Sequence, residues 1–544
     1  MKLIDKPLGR CLWEQARING QRPAMEMGDW SCTFKELDRV SDLLAGRMKR
    51  YNIEKGTHVG IWSVNSPNWI FTFLALVKVG AVPVLINTCY KQEEMKGLLN
   101  YSDVEVLYYG NGYKTILYDD VIASIQKNTP KVRHFIPIGE KEEGNWMREG
   151  DFSPEERSDR ALKETKGKKD LVSSSDPLCM IFTSGSTSLP KGVVLTHYNV
   201  VNNSRTMIEC LGWTKEDKMC ITVPLFHCFG ITAGIVSCIQ SGMCMHLIPY
   251  FKTGKVWDGI NTYGCTVLNG VPSMFLALIR KTEYKDRKAD GLKSGIIAGS
   301  PVTSEEYREI CGRFVNMHLL TSYGQTETSP CVTMADWEGI HDEKVISAGK
   351  VTKHVQARIW DLDGSQEAKE GEPGEIQVKG YNVMSGYYNL PLANERAFTR
   401  DGWLKTGDIG WFDKKMELHI TGRIKEMIIR AGENISPQEI EQAIRGLKWV
   451  EQVKVVGVPA EVLQEEIAAC IIPAEGCRVC EEELLRYLQP KLAHYKIPSY
   501  VLTFDEFPMN ASGKINLKVI REMAAQRVER IRRERQAREI LRNR

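Results

Sequence analysis

Short apolar stretches alternate with helix-like stretches as far as residue 321, and this alternation constrains the fold more than any other feature. Ser66 and Pro67 are residue types that begin a helix, Gly80 is the type that ends one, and the apolar run 82–86 follows as a strand. The other strands predicted in this region are 58–64, 104–108, 178–182, 219–223, 265–268, 295–298 and 317–321. Strands separated by helices of this length predict parallel βαβ units.

After about residue 345 the chain becomes richer in strands, with alternating patterns at 357–360 and 375–378. A small α+β domain is predicted to follow, because a helix at 437–444 precedes strands at 453–458 and 467–472. The predicted fold class is α/β, with a large N-terminal domain of mostly parallel sheets flanked by helices and a β-rich subdomain. The predicted boundaries are 1–423 for the large domain, 424–520 for the small domain and 521–544 for a basic tail.

Composition excludes several classes of protein. The formal net charge of +3 is too small to indicate nucleic acid as a partner. The apolar stretch 69–86 contains Lys78, Gly80 and Pro83, so we predict no transmembrane segment. Fifteen cysteines, with no secretory signal ahead of Cys11, favour reduced thiols and a cytoplasmic location.

A loop of small and hydroxyl-bearing residues follows the predicted strand 178–182. Its backbone N–H groups, hydroxyls and lysine are the groups that bind a polyphosphate. The loop ends in Pro190-Lys191-Gly192, so it does not match the Gly-Lys-Ser/Thr ending of a P-loop. An ordinary solvent-exposed loop remains the alternative. The candidate phosphate-binding residues are Thr183, Ser184, Gly185, Ser186, Thr187, Ser188 and Lys191.

Two further polar turns follow predicted strands. Gly299 and Ser300 come directly after the strand 295–298, and the segment 322–328 follows the strand 317–321. Ligands of open α/β sheets collect at the carboxyl ends of strands, so these turns are expected to converge with the phosphate loop. Within 322–328, Glu327 offers an oxygen ligand for Mg²⁺ and Tyr323 a flat face for a base. Taken alone, this segment could equally be an ordinary turn.

Five segments resemble the adenylate-forming superfamily in their order and spacing, namely 182–192, 323–327, 403–408, 422–425 and 512–514. That superfamily contains acyl-CoA synthetases, nonribosomal adenylation domains and firefly-type luciferases. The resemblance extends from residue 33 to about residue 520. One departure is Ser188, where the family loop usually has glycine.

The resemblance implies a role for each matching residue. The loop from Thr183 to Lys191 would bind the β- and γ-phosphates of ATP and close over pyrophosphate as a mobile flap. Adenine would be bound by Gly299, Ser300, Tyr323, Gly324 and Gln325, and the ribose by Asp408 with Arg423. Thr326 would contact the α-phosphate, and Glu327 and Thr187 would bind Mg²⁺. The residues implied in catalysis are Lys514, Glu327, Thr326 and His227, with a hinge at Lys425 and a CoA tunnel at Gly432.

The implied reaction has two halves. A carboxylate attacks the α-phosphorus of ATP, and Mg²⁺ and lysines offset the charge repulsion and stabilise the departing pyrophosphate. The thiol of CoA then displaces AMP from the acyl-adenylate, so no nucleophile of the enzyme is required. In the family the small C-terminal domain is a mobile lid that rotates between the two halves, which removes Lys514 from the site.

The acid is expected to be apolar. The segment 224–230 carries Phe226 and His227 where amino-acid-activating relatives usually have an aspartate. His227 is expected between the nucleotide and acyl sites, with a packed core histidine as the alternative. The segments 297–301, 427–435 and 494–498 look most like medium-chain fatty acyl-CoA synthetases of the acyl-CoA synthetase 2 type. A fatty acid of roughly six to twelve carbons is predicted, with aryl and longer acids left open.

Other functions compete with a CoA ligase. An acyl-AMP ligase that loads a carrier protein would share the first half-reaction, and a non-catalytic nucleotide sensor would share the fold. A luciferase-like oxygenase has no supporting feature, and a homodimer is left open. The arginine-rich tail 521–544 is expected to be a solvated helix, with contact to an anionic membrane or a partner as the alternative. If the tail is accessory, deleting the residues after Ala524 is expected to leave acyl-adenylate formation intact.

Overall fold

A computed structural model describes most of the chain. The described residues are 2–139, 146–158, 171–183, 190–284, 286–336, 346–364, 366–430, 433–460, 462–509 and 515–542. Seven of the predicted site residues lie outside this set, namely Ser184, Gly185, Ser186, Thr187, Ser188, Gly432 and Lys514. The chain divides into two compact units, which are described separately. The first contains Met1–Ala357, Val378–Lys405 and Met416–Leu418, and the second contains Arg358–Gln377, Thr406–Lys415 and His419–Arg544. The predicted boundary at residue 423 stays a prediction.

The helix predicted between residues 67 and 80 is present, and it begins and ends at the predicted residues. It spans Pro67–Val79, and the Ser66 hydroxyl accepts a hydrogen bond from the backbone N–H of Trp69 at 3.1 Å. Gly80 ends the helix at φ +77°, a conformation that glycine adopts without a steric penalty. In the described residues no helix is long and apolar enough to cross a membrane.

Lys78 lies inside this apolar helix because two carboxylates of a neighbouring helix neutralise it. The neighbour spans Phe34–Met48, and its Asp38 and Asp42 lie 2.6 and 2.8 Å from the Lys78 ammonium. Burial alone would lower the pKa of Lys78, but the two carboxylates outweigh burial and raise it. The lysine therefore joins the two helices as a buried ion pair.

The first sheet of the first unit is mixed. Five neighbouring pairs of its strands are parallel, and antiparallel strands extend both edges. Its order from edge to edge is Lys350–Val351, Cys331–Met334, His318–Gly324, Ser294–Ala298, Val267–Leu268, Lys218–Ile221, Cys244–Leu247, Pro23–Met27 and Trp30–Thr33. The parallel core of this sheet agrees with the predicted βαβ pattern.

The second sheet of this unit contains the strand before the phosphate loop. Its order is Gly386–Tyr387, Lys191–Thr196, Pro177–Thr183, Val82–Leu85, His58–Trp62, Val106–Tyr109 and His134–Pro137. Strands 177–183 and 191–196 pair antiparallel, with Lys191 opposite Thr183. The phosphate loop is therefore the connection of a β-hairpin, and it belongs to a different sheet from the turns at 299 and 323.

Helices pack on these sheets. In the first unit they are Leu8–Ile18, Phe34–Met48, Pro67–Val79, Gln92–Tyr101, Tyr118–Ile125, His197–Leu211, Ser237–Ser241, Thr253–Asn261, Pro272–Arg280, Ser304–Arg313 and Pro391–Ala397. A large apolar core includes residues from both sheets and from the helices 8–18, 34–48 and 67–79. The prediction of mostly parallel sheets flanked by helices is confirmed.

The second unit holds the C-terminal α+β region. A sheet with order Val355–Trp360, Gly374–Gly380, Leu404–Phe412 and Leu418–Arg423 belongs mainly to it. A further sheet has the order Glu433–Ile435, Ile428–Arg430, Gln464–Pro473 and Val450–Ala460, with Tyr500–Thr503 also paired to 464–473. Its helices are Pro437–Ile444, Glu481–Leu488 and Leu517–Arg542.

The last helix packs on the C-terminal sheet, so the expectation of a solvated tail is wrong. Ile520, Ala524 and Val528 are buried against the sheet of 450–473 and 500–503. Arg532 extends the contact, because its guanidinium lies 2.7 Å from Glu466 and donates to the Tyr500 hydroxyl at 3.0 Å. Arg532, one of the arginines that make the sequence look solvated, therefore helps to attach the helix.

Candidate active site

The predicted adenine-binding residues lie at the ends of two adjacent parallel strands. Strand Ser294–Ala298 ends immediately before Gly299, which has φ +86°, and the next residue, Ser300, is exposed. In the register of the neighbouring strand, Ala298 pairs with Ser322, so Gly299 and Tyr323 occur at the same edge. Gly299 and Tyr323 therefore lie at one edge of this sheet, whereas the phosphate loop follows a strand of the other sheet.

The segment around Tyr323 is a strand end and not a turn, contrary to the sequence interpretation. The strand His318–Gly324 continues through it, and Tyr323 is buried, whereas Gln325 and Thr326 are half-buried. Gly324 has no room for a side chain, because a Cβ there would lie 1.6 Å from the carbonyl oxygen of Pro330. An antiparallel strand alongside causes this close approach and extends the sheet past the predicted turn.

Glu327 lies in the short 3₁₀ helix Thr326–Thr328 and is only 9% exposed. Its Oε1 accepts a hydrogen bond from the Tyr387 hydroxyl at 2.9 Å, and its carbonyl accepts one from the backbone N–H of Met384 at 2.9 Å. Burial, and then the negative charge of Glu327, raise the pKa of Tyr387 well above its usual range, so this hydroxyl stays protonated and donates.

The environment of Glu327 fits Mg²⁺. A carboxylate oxygen is the hard ligand that this ion prefers, and the low exposure of Glu327 favours a cation beside it. The described residues contain no group of three or more His, Cys, Asp or Glu side chains suited to a metal. An ion at Glu327 would thus take most ligands from substrate phosphates and water, as Mg²⁺ commonly does in nucleotide sites.

Tyr387 also connects Glu327 to the phosphate-loop hairpin. Strand Gly386–Tyr387 pairs with the strand that begins at Lys191, with Val193 opposite Tyr387. The Lys191 ammonium lies over the Tyr387 ring, 4.3 Å from its centroid. Both described ends of the loop, Thr183 and Lys191, face each other across the hairpin. The sequence analysis missed Tyr387, since nothing local in the sequence reveals a contact with a residue 60 positions away.

His227 is half-buried, and hydrogen bonds with Asn65 fix the backbone of its segment. Asn65 accepts a hydrogen bond from the backbone N–H of Leu225 at 2.9 Å and donates one to the carbonyl of Val223 at 3.1 Å. Immediately after the segment, Gly230 must be glycine, because a Cβ there would lie 2.4 Å from the carbonyl oxygen of Pro224. A π-helix, Gly230–Val236, follows, and π-helical turns are frequent at functional sites.

Cys228, the neighbour of His227, does not have the properties of a nucleophile. Burial raises the pKa of its thiol to about 12, with Thr232 lowering it and the charge of Glu327 raising it further. The thiol is therefore protonated at neutral pH.

A closely packed apolar cluster lies beside these elements, and the space between its side chains is too narrow for a water molecule. Asn269 and Gly270 link it to them, since Asn269 donates to the carbonyl of Ala233 in the π-helix at 3.4 Å and Gly270 accepts from the backbone N–H of Ala298 at 3.2 Å. The residues of the cluster are Thr222, Phe251, Leu268, Asn269, Gly270, Met274, Phe275 and Leu278. The cluster therefore adjoins the π-helix that follows His227 and the turn at Gly299.

In the second unit, Asp408 and Arg423 form an ion pair. Arg423 Nε lies 2.8 Å from Asp408 Oδ1, and Asp408 is 5% exposed. Glu426 is close by, and its pKa is raised above its usual value. Burial is the main cause, the charge of Arg423 opposes it, and the charge of Asp408 adds to it. Lys425 is exposed in the 3₁₀ helix Ile424–Glu426. The pairing of Asp408 with Arg423 agrees with their joint assignment from the resemblance, although their roles stay predictions.

Comparison with protein families gives two matches. Residues 12–388 match the model of the AMP-binding enzyme family, and residues 439–514 match that of the AMP-binding enzyme C-terminal domain. Together the matched ranges include the phosphate loop, Glu327, His227 and Lys514.

Individual proteins resemble the chain over nearly its whole length. YngI, a predicted acyl-CoA synthetase of Bacillus subtilis (strain 168), is 36% identical over 96% of this chain and 97% of its own. The mitochondrial medium-chain acyl-CoA ligase ACSF2 of Homo sapiens is 31% identical over 96% of this chain and 88% of its own. The structure of o-succinylbenzoate CoA synthetase (MenE) of Bacillus subtilis in complex with its acyl-adenylate intermediate has a TM-score of 0.78 and 27% identity, covering 94% and 97% of the two chains.

Proposed function

This chain belongs to the AMP-binding enzyme family and is an AMP-forming acid–CoA ligase that uses ATP, and we propose that its acid is a medium-chain fatty acid. The apolar cluster beside Gly299 and the π-helix after His227 supports this proposal, with its side chains moving apart to admit the acid. Five of these side chains, those of Phe251, Leu268, Met274, Phe275 and Leu278, are purely apolar. The relative ACSF2, which is named a medium-chain acyl-CoA ligase, carries the chain-length assignment.

The side chains of this cluster suit an alkyl chain better than an amino acid. The described residues of the cluster include no Asp or Glu that could pair with an α-amine, and its polar side chains are those of Thr222 and Asn269. Transferring methylene groups from water to such a surface is favourable by about 0.8 kcal/mol each. This gain would favour an alkyl chain over short acids once the side chains of the cluster move apart.

The nucleotide would bind at the edge where Gly299 and Tyr323 lie. The phosphate loop from Thr183 to Lys191 would hold the β- and γ-phosphates, and Thr326 the α-phosphate. Bound at Glu327 and Thr187, Mg²⁺ would offset phosphate charge during the first half-reaction. Adenine would lie against Gly299, Ser300, Tyr323, Gly324 and Gln325. Asp408 would bind the ribose hydroxyls, with its carboxylate oriented by Arg423.

The remaining assignments concern the second unit. Lys514 would contact the substrate carboxylate and the α-phosphate in the first half-reaction, and Lys425 would be the hinge of the mobile lid. Gly432 would line the tunnel for the CoA thiol. His227 would separate the acyl and nucleotide sites. We infer these roles from motif positions, and the exposure of Lys425 supports a hinge at the surface.

Chain-length preference tests the substrate directly. Purified enzyme is given ATP, Mg²⁺, CoA and each even-numbered fatty acid from butyrate to palmitate, and AMP and acyl-CoA are measured. The proposal predicts the highest kcat/KM between hexanoate and dodecanoate, with equal amounts of AMP and acyl-CoA. Best turnover with an aryl or long-chain acid would refute the chain-length assignment, and pyrophosphate exchange without acyl-CoA would favour a ligase that loads a carrier protein.

The role of Lys514 can be tested by separating the half-reactions. Lys514→Ala is expected to depress acyl-adenylate formation by roughly two orders of magnitude or more, because a positioned charge at the reacting centre is lost. Thioester formation from preformed acyl-AMP is expected to fall far less. Lys518→Ala, which removes an exposed lysine four residues away, is the matched control and should leave both rates unchanged. Equal losses in both halves for Lys514→Ala would contradict the assignment.

Location and assembly complete the proposal. All fifteen cysteines are free in the structure, which supports a reducing, cytoplasmic compartment. A homodimer is left open and is tested by light scattering of the purified protein. Fractionation of cells producing the tagged protein would test the compartment, and recovery in an organelle would contradict it.

A further inference from the structure

Tyr387 is in contact with two predicted active-site residues from opposite sides. Its hydroxyl donates to Glu327 Oε1 at 2.9 Å, while the face of its ring meets the Lys191 ammonium at 4.3 Å. Glu327 follows a strand of the first sheet and Lys191 begins a strand of the second. The Tyr387 side chain therefore contacts a residue next to the first sheet and a residue of the second, beside the predicted phosphate site.

The backbone of Tyr387 is fixed on both of its edges. On one edge, strand Gly386–Tyr387 pairs with the strand that contains Val193. On the other, the Asn394 side chain accepts from the Tyr387 N–H at 2.6 Å and donates to the Tyr387 carbonyl at 2.9 Å. A side chain held in this way loses little further entropy when it orients its neighbours.

We propose that Tyr387 is a positioning residue that orients the Glu327 carboxylate for Mg²⁺ and holds Lys191 toward the phosphates of ATP. The proposal rests on the proposed roles of Glu327 and Lys191. A hydroxyl that donates to Oε1 restrains rotation of the Glu327 carboxylate. The remaining lone pairs of the two carboxylate oxygens then keep a fixed direction. The aromatic face attracts the ammonium without neutralising it, so Lys191 keeps its charge for a phosphate.

Two substitutions at Tyr387 separate these two contacts. Tyr387→Phe removes the hydroxyl and keeps the ring, so only the contact with Glu327 is lost. Tyr387→Leu removes both contacts. Tyr388→Phe is the matched control, because it deletes the neighbouring hydroxyl, which donates to the carboxylate of Asp103 at 2.6 Å and has no predicted role in the reaction.

The primary measurement is metal binding without turnover. Mn²⁺ is titrated into the full-length enzyme with α,β-methylene-ATP and followed by electron paramagnetic resonance. Tyr387→Phe is expected to weaken Mn²⁺ binding about tenfold, the scale of one hydrogen bond to a charged group, with nucleotide binding in metal-free buffer unchanged. Tyr387→Leu should in addition weaken metal-free nucleotide binding by about three- to fivefold, because the contact with Lys191 is lost. Tyr388→Phe should change neither quantity.

The half-reactions provide a second readout. For Tyr387→Phe, acyl-adenylate formation should require about tenfold more Mg²⁺, while thioester formation from preformed acyl-AMP stays at the wild-type rate. Unchanged Mn²⁺ affinity, or equal losses in both half-reactions with a lower melting temperature, would show that Tyr387 is merely structural and overturn the proposal.

Glu327→Gln distinguishes this proposal from its premise. If Glu327→Gln weakens Mn²⁺ binding and Tyr387→Phe does not, only the positioning role of Tyr387 is wrong. If neither variant changes Mn²⁺ binding, the assignment of Glu327 as a metal ligand fails, and the role of Tyr387 fails with it.

Discussion

The C-terminal helix Leu517–Arg542 gives a prediction that runs against the charge pattern of the sequence. A protein that ends after Ala524 would lose Val528, which is 1% exposed, and Arg532 with its ion pair to Glu466. It would also lose Arg527, whose guanidinium lies 4.2 Å from the centre of the Phe504 ring. A protein that ends after Arg535 keeps all three contacts and is the matched control.

The cost of the shorter truncation follows from these contacts. Burying a valine side chain contributes about 1.5–3 kcal/mol. The ion pair of Arg532 adds about 1 kcal/mol, since both side chains are partly exposed and solvent screens the pair. The contact of Arg527 with Phe504 adds about 0.5–1 kcal/mol. Ending after Ala524 should therefore destabilise the sheet beneath the helix by about 3–5 kcal/mol.

Hydrogen–deuterium exchange measures this loss locally. Where opening of the sheet limits exchange, the strand 464–473 should exchange at least about a hundredfold faster in the protein that ends after Ala524. The protein that ends after Arg535 should match the full-length chain. Equal protection in all three proteins would refute the view that this helix is part of the C-terminal domain. Intact acyl-adenylate formation by the protein that ends after Ala524 would not refute this view, because Lys514 precedes the cut.

Three further predictions concern single residues. Lys78→Met leaves two carboxylates without their buried partner, so the free energy of unfolding should fall by about 3–5 kcal/mol in urea titrations, and an unchanged value would contradict the buried ion pair. Burial lowers the pKa of His197 to about 4. Because the unfolded chain takes up this proton first, stability should decline as the pH falls from about 6.5 to 4. His197→Gln should flatten that decline, and a slope equal to that of the wild type would exclude His197 as its cause. Asp408→Asn should raise the KM for ATP about tenfold or more, since Arg423 then lacks its charged partner and the ribose its acceptor, whereas an unchanged KM would remove Asp408 from the nucleotide site.

Local signals in the sequence were enough to predict several elements. The helix Pro67–Val79 has its N-cap, first-turn proline and terminal glycine at the predicted positions, and the strand Ser294–Ala298 ends next to Gly299. Such features depend on residues only a few positions apart, so their physical causes are visible in one stretch of sequence. The family resemblance, carried by five separated motifs, then indicated the activity.

Features that depend on distant partners could not be predicted in this way. The contact of Tyr387 with Glu327 requires knowledge of which strand pairs with the hairpin of Lys191. The attachment of the last helix depends on Glu466, 66 positions before Arg532. Composition suggested a solvated segment, because it counts charges without showing which of them are paired across the fold.

Attack of the substrate carboxylate on the α-phosphorus of ATP is tested most directly by following its oxygen atoms. The enzyme is supplied with octanoate carrying ¹⁸O in both carboxyl positions, together with ATP, Mg²⁺ and CoA, and the AMP is analysed by mass spectrometry. An acyl-adenylate intermediate predicts one ¹⁸O atom in each AMP formed, because the bridging oxygen leaves with AMP when the thiol attacks. AMP without the label, formed alongside octanoyl-CoA, would contradict this chemistry.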